Sequence, residues 1–99
     1  MADLNELRDE IYDDAVKHGL WDDANRLDDE GKRFACGLAI WDEVQELELE
    51  FEHPERFTEE LADVIIMSLS TAGYLGIDID KAVREKMEIN RGGEWRHGK

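Results

Sequence analysis

The chain has one cysteine and one proline in 99 residues. Cys36 has no internal partner, so no disulfide framework holds the fold. Its neighbours Phe34, Ala35, Gly37 and Leu38 mark it as a buried structural thiol rather than a reactive one. With Pro54 the only proline, long helices can run unbroken on either side of it. Two-residue alternation of polar and apolar positions is almost absent, which argues against a sheet. Long apolar runs are also missing. The least polar stretch, Val64 to Ile77, holds two Ser, one Thr and two Gly, and falls short of the roughly 20 residues of a membrane span. No basic start leads into an apolar stretch, so no signal peptide is expected. The expectation is a soluble, cytoplasmic protein with no membrane partner.

Positive charge is scarce. There are 12 Lys and Arg against 26 Asp and Glu, a net charge of −14. Residues 1–80 hold 23 acids and 6 bases, a balance of −17, while residues 81–99 carry +3. The acidic body would repel nucleic-acid phosphate, so no nucleic-acid partner is expected. A hydrophobic fraction of 41% is too high for a disordered acidic tail. The length gives one domain over 1–99 with a modest core, which packing against another copy would complete.

The 3.6-residue period dominates and predicts four helices. The first runs from Leu4 to Lys17, with Asp3 as cap, Glu6 completing the capping pattern and Gly19 beyond its end. A polar connection over 20–30 carries Trp21 as an anchor. The second helix is predicted from Lys32 to Phe51, broken by His53-Pro54. The third starts at Thr58, a good cap, and ends at Gly76. Asp78 caps the fourth, residues 79–90, which stops at Gly92-Gly93. The expected fold is all-α, an antiparallel helical bundle of about four helices completed by oligomerisation.

Two pairs of acids stand out. On the second helix a broad apolar arc includes Phe34, Leu38, Ile40, Trp41, Val44, Leu47 and Phe51. Beside it runs a stripe of Lys32, Cys36, Ala39, Glu43, Glu46 and Glu50. Glu43 and Glu46, three apart, share one side. On the third helix Leu61, Ala62, Val64, Ile65, Ile66, Met67 and Leu69 leave no polar face, a pattern of burial on all sides. Glu60 and Asp63 repeat the spacing of three inside it. A buried carboxylate must be protonated, paired with a base, or bound to a cation. In an antiparallel hairpin the four acids converge, and a hard divalent ion, Mg²⁺ or Mn²⁺, relieves their repulsion. The plainer alternative leaves Glu43 and Glu46 as surface acids and gives only Asp63 a local partner. Glu50-x-x-His53 and Glu94-x-x-His97 match a di-iron spacing, but neither histidine falls inside a predicted helix. Phe34, Trp41 and Trp21 are read as core packing rather than stacking platforms.

The stretches Asp42-Glu43-Val-Gln-Glu46 and Glu60-Leu-Ala-Asp63 resemble the two halves of the MazG-like nucleotide pyrophosphohydrolase signature. Residues Gly76 to Arg91 are similar to that family's last helix, which ends in Lys-x-x-x-Asn, here Lys86 and Asn90. The likeness covers about residues 27–97. It implies an all-α, Mg²⁺-dependent enzyme (Mn²⁺ as the second choice) that splits a nucleoside triphosphate into the monophosphate and pyrophosphate, assembled as a homodimer or homotetramer. Glu43, Glu46, Glu60 and Asp63 would then be the catalytic metal ligands, with Lys86 and Asn90 at phosphate and sugar. Asp42 departs from the usual Glu, and Gly93 stands where many relatives carry Arg; Arg91 or Arg96 would supply that charge. The competing reading is a non-catalytic acidic helical module, a protein-interaction subunit or DNA mimic. A mimic needs its acids on an outer face, whereas Glu60 and Asp63 lie on the most apolar helix.

Overall fold

The computed structural model describes residues 3–93. Among them are four α-helices and one short 3-10 turn, and no strand: α1 (Leu4–Lys17), the 3-10 turn (Ala24–Arg26), α2 (Asp29–Leu49), α3 (Pro54–Leu75) and α4 (Ile79–Gly92). None of these helices is by itself long and apolar enough to cross a membrane.

Local chemistry sets the boundaries. Asp3 accepts from the Glu6 N–H at the start of α1. Asp28 does the same for Gly31, so α2 begins at Asp29 and not at Lys32. Pro54 occupies the first turn of α3, where a missing N–H costs nothing, so that helix begins there and not at Thr58. The Thr58 hydroxyl instead donates back to the Pro54 carbonyl at 2.9 Å. Gly76 ends α3 at φ 67°, a left-handed conformation natural to glycine, while the Ile77 N–H returns to Ala72 O.

Helix α3 is the spine, packed against both α1 and α2. A Cβ placed on Gly73 would meet Tyr12 Cβ at 2.6 Å, so glycine is what lets α1 and α3 approach this closely. The core is small: Trp21, Cys36, Leu69 and Ala72, with Ser70. Trp21 is the anchor expected of the connection. Its indole N–H donates to Ser70 Oγ at 3.1 Å, and its ring stacks on Tyr74 at 4.4 Å between centroids. Tyr74 in turn donates to Asn25 at 2.8 Å. Cys36 is buried, and burial pushes its thiol pKa up, as an inert structural thiol requires.

Helix α4 is held to α1 through its first turn. Asn5 Oδ1 accepts from the Ile79 and Asp80 N–H groups at 3.0 and 3.2 Å, and Asp80 Oδ1 accepts from the Leu4 N–H at 3.2 Å. Each helix thus caps the other's N-terminus. Arg8 adds a bond to the Ile77 carbonyl at 2.6 Å.

Two expectations about burial fail within the single chain. Phe34 and Trp41, read as core, are 69% and 57% exposed, because the side of α2 that carries them faces away from α3. On α3, Leu61, Ile65 and Ile66 are exposed rather than enclosed, and so is Asp63. The Cα radius of gyration, 15.1 Å, exceeds the about 13 Å of a compact domain of this length. The chain is open and leaves much of its apolar surface uncovered.

Candidate functional site

The α2–α3 seam brings acids together. Oxygen atoms of Glu43, Glu60 and Asp63 lie within 4.8 Å of one another. The reason is periodicity. Glu43 sits on the α2 stripe that carries buried Cys36, and Glu60 and Asp63 sit three apart on the facing side of α3. The same side of α2 that seals the core therefore carries Glu43 to α3.

Glu43 and Glu60 are half-buried, and one oxygen of each, Oε2, is shut from solvent with no hydrogen-bond partner. Burial pushes the Glu43 carboxyl above its ordinary pKa range, and the charges of Glu46, Asp63 and Glu60 add to the effect. Glu60 is raised for the same reasons, first burial, then Asp63, Glu46 and Glu50. The leading charges on both groups are carboxylates. Buried acceptors converging without a donor fit a hard cation, and an all-oxygen donor set fits Mg²⁺ or Mn²⁺ better than a soft metal.

Glu46 stands outside the tightest trio and is exposed, but its side chain comes within hydrogen-bond reach of Glu43 and its charge acts on both raised groups. Asp63 reaches the cluster from an exposed position, so what holds it there is not enclosure within its own chain. Glu50 is a group that sequence reasoning left on the stripe without a role. It lies one turn beyond Glu46, acts on Glu60, and sits 3.2 Å from His53 Nδ1 and 3.8 Å from Arg56. Its place at i+7 from Glu43 was the available signal.

The basic residues are not built into this cluster. Lys86 and Asn90 lie on α4, whose packing partner in the chain is α1. Arg91 pairs with Glu88 on its own helix. Arg96 lies outside the described residues, as do Glu94 and His97.

The sequence model of the MazG-like family matches residues 38–97, more than half of the chain. A dATP/dGTP diphosphohydrolase of Cyanophage S-2L is 47% identical over 36 residues. That stretch is 36% of this chain and 34% of the relative, so the match spans about a third of the curated protein. No solved structure matches the chain.

Proposed function

The chain belongs to the MazG-like family, and from that premise we propose that it hydrolyses a (deoxy)nucleoside triphosphate to the monophosphate and pyrophosphate in a Mg²⁺-dependent reaction. The observation that carries this reading is the meeting of Glu43, Glu60 and Asp63, with two buried oxygens lacking any partner. Glu43, Glu46, Glu60 and Asp63 would hold the ion, with Mn²⁺ as a substitute. When bound, the ion would neutralise the cluster toward a triphosphate, polarise its oxygens and lower the pKa of a coordinated water. One of these carboxylates would take up a proton from the attacking water as general base.

Lys86, Asn90, Arg91 and Arg96 would contact phosphate and sugar. Assembly as a homodimer or homotetramer is supported by the exposed apolar side of α2 and by the open α4. The action of the phage relative on dATP and dGTP supports a deoxynucleoside triphosphate as substrate, for which the role would be cleansing of the nucleotide pool.

The test is pyrophosphate release with Mg²⁺ across the nucleoside and deoxynucleoside triphosphates. Asp63→Asn and Glu46→Gln should each lower the rate about 100-fold or more, the scale of losing metal-assisted charge stabilisation. Full activity in both variants would remove the site assignment.

A further inference from the structure

A cleft of about 370 Å³ opens between α1 and α3, within the range of about 300–1,000 Å³ typical of small-molecule sites. Its walls are apolar, chiefly Ile11, Ala15, Ile66 and Met67, and Asp14 and His18 lie on its edge. Three facts bear on what fills it.

The first is alignment with the carboxylates. At 100° per residue, Glu60, Asp63, Met67 and Ser70 fall within about 80° on α3. Met67 and Ser70 line the cleft. The cleft and the acids therefore share one side of one helix, with Asp63 about 6 Å of rise from Met67 and about 10.5 Å from Ser70.

The second is the state of the polar groups. His18 Nδ1 lies 2.7 Å from the Asp14 carbonyl oxygen. A carbonyl only accepts, so Nδ1 donates, and in the tautomer with the proton on Nδ1 alone Nε2 is the acceptor. Among the described residues, the Asp14 side chain enters no hydrogen bond or ion pair. The edge of the cleft thus offers acceptors, with a carboxylate as the principal one.

The third is the chemistry of base edges. Two carboxylate oxygens match two adjacent N–H donors. Guanine presents N1–H beside its 2-amino group. Adenine and cytosine each pair one amino donor with a ring acceptor, and thymine sets its one N–H between two carbonyls, so each would turn a lone pair toward the carboxylate.

We propose that the α1–α3 cleft binds the nucleobase, with Asp14 reading the N1–H and 2-amino edge of guanine and His18 Nε2 as a further acceptor. This deepens the proposed hydrolase reading and rests on it for the orientation of the phosphates toward Glu60 and Asp63. The apolar walls bury the ring, and the charged edge sets the choice of base.

The test uses uncharged nucleosides and no metal, so it does not depend on hydrolysis. The full chain is titrated with deoxyguanosine, deoxyadenosine, deoxycytidine and thymidine while the methyl resonances of Ile11, Ile66 and Met67 are followed. Deoxyguanosine should move them and bind at least about fivefold tighter than the others, the lower end expected of one bidentate contact. Deoxyinosine, which lacks the 2-amino group, should lose most of that preference. Asp14→Asn should weaken deoxyguanosine about tenfold and leave deoxyadenosine within about twofold. Unmoved methyls, a preference kept in Asp14→Asn, or shifts that follow protein concentration alone each overturn the proposal. The last of these would assign the cleft to a second copy. An enzyme active on triphosphates but without cleft binding would sink this inference and spare the hydrolase reading; the reverse result would do the opposite.

Discussion

The carboxylates of Glu43 on α2 and Glu60 on α3 meet across the seam, each with one oxygen buried and without a hydrogen-bond partner. Two such groups repel when ionised, and the burial of one oxygen weakens the hydration of each charge. Their side chains converge because α2 and α3 pack, so the fold itself brings these charges together.

A cation that binds there should stabilise the fold. With the ion at about 100 times its dissociation constant, linkage gives about 2.7 kcal/mol. The expected result is a melting temperature that climbs with Mg²⁺ concentration, read by calorimetry. Glu43→Gln or Asp63→Asn should flatten the climb. A melting temperature indifferent to millimolar Mg²⁺ and Mn²⁺ would count against a metal site.

Assembly should depend on the outer side of α2. Phe34, Leu38, Trp41 and Leu49 recur there at helical spacing, and Leu49 is 76% exposed. Trp41→Glu should leave a species of monomer mass in sedimentation equilibrium, where the parent chain forms dimers or tetramers. A parent that sediments as a monomer at high concentration would sink the assembly reading.

The α1–α4 joint should fail in acid. Hydrogen bonds from Asn5 and from the Lys81 N–H hold the Asp78 carboxyl below its usual pKa range, and Arg84 with the Leu4 N–H does the same for Asp80. A carboxyl depressed in the folded state contributes stability above its unfolded pKa, near 3.8, and loses it as pH falls through the lower folded value. Helical circular dichroism should therefore drop below about pH 4. Asn5→Ala should bring that loss to higher pH by removing the leading cause at Asp78.

Gly73→Ala should destabilise the chain. The new methyl would meet Tyr12 Cβ and Cγ at 2.6 and 2.8 Å, and neither is the far end of a flexible side chain. Overpacking of this kind costs about 1–3 kcal/mol, or several degrees in melting temperature. Gly92→Ala, with open space around it, is the control.

Much of the fold was legible because its signals are local. Leu4–Lys17 follows from Asp3 and from the apolar period, and the α3–α4 turn follows from Gly76 and Asp78. The starts of α2 and α3 were misplaced for opposite reasons. The run Leu27-Asp-Asp-Glu-Gly31 offers several caps, of which packing chose Asp28. Pro54 reads as a breaker, yet it opens a helix when it stands in the first turn. The acidic cluster was legible from two spacings of three. The exposure of Phe34, Trp41 and Asp63 was not, because an apolar period marks which residues share a face and not which element of the chain packs against it.

The reciprocal cap between α1 and α4 has a mechanical consequence. With its bonds to α1 gathered at residues 77–80, α4 is a lever pivoted at one end. Asn90 stands eleven residues from Ile79, about 16 Å along the axis, so a 10° tilt at the pivot displaces it by about 3 Å. The pivot consists of five hydrogen bonds between α1 and residues 77–80. The half-exposed Val83 and Met87 on its flank are where a stop against that swing would bear. Whatever rests on them sets where Lys86 and Asn90 come to lie.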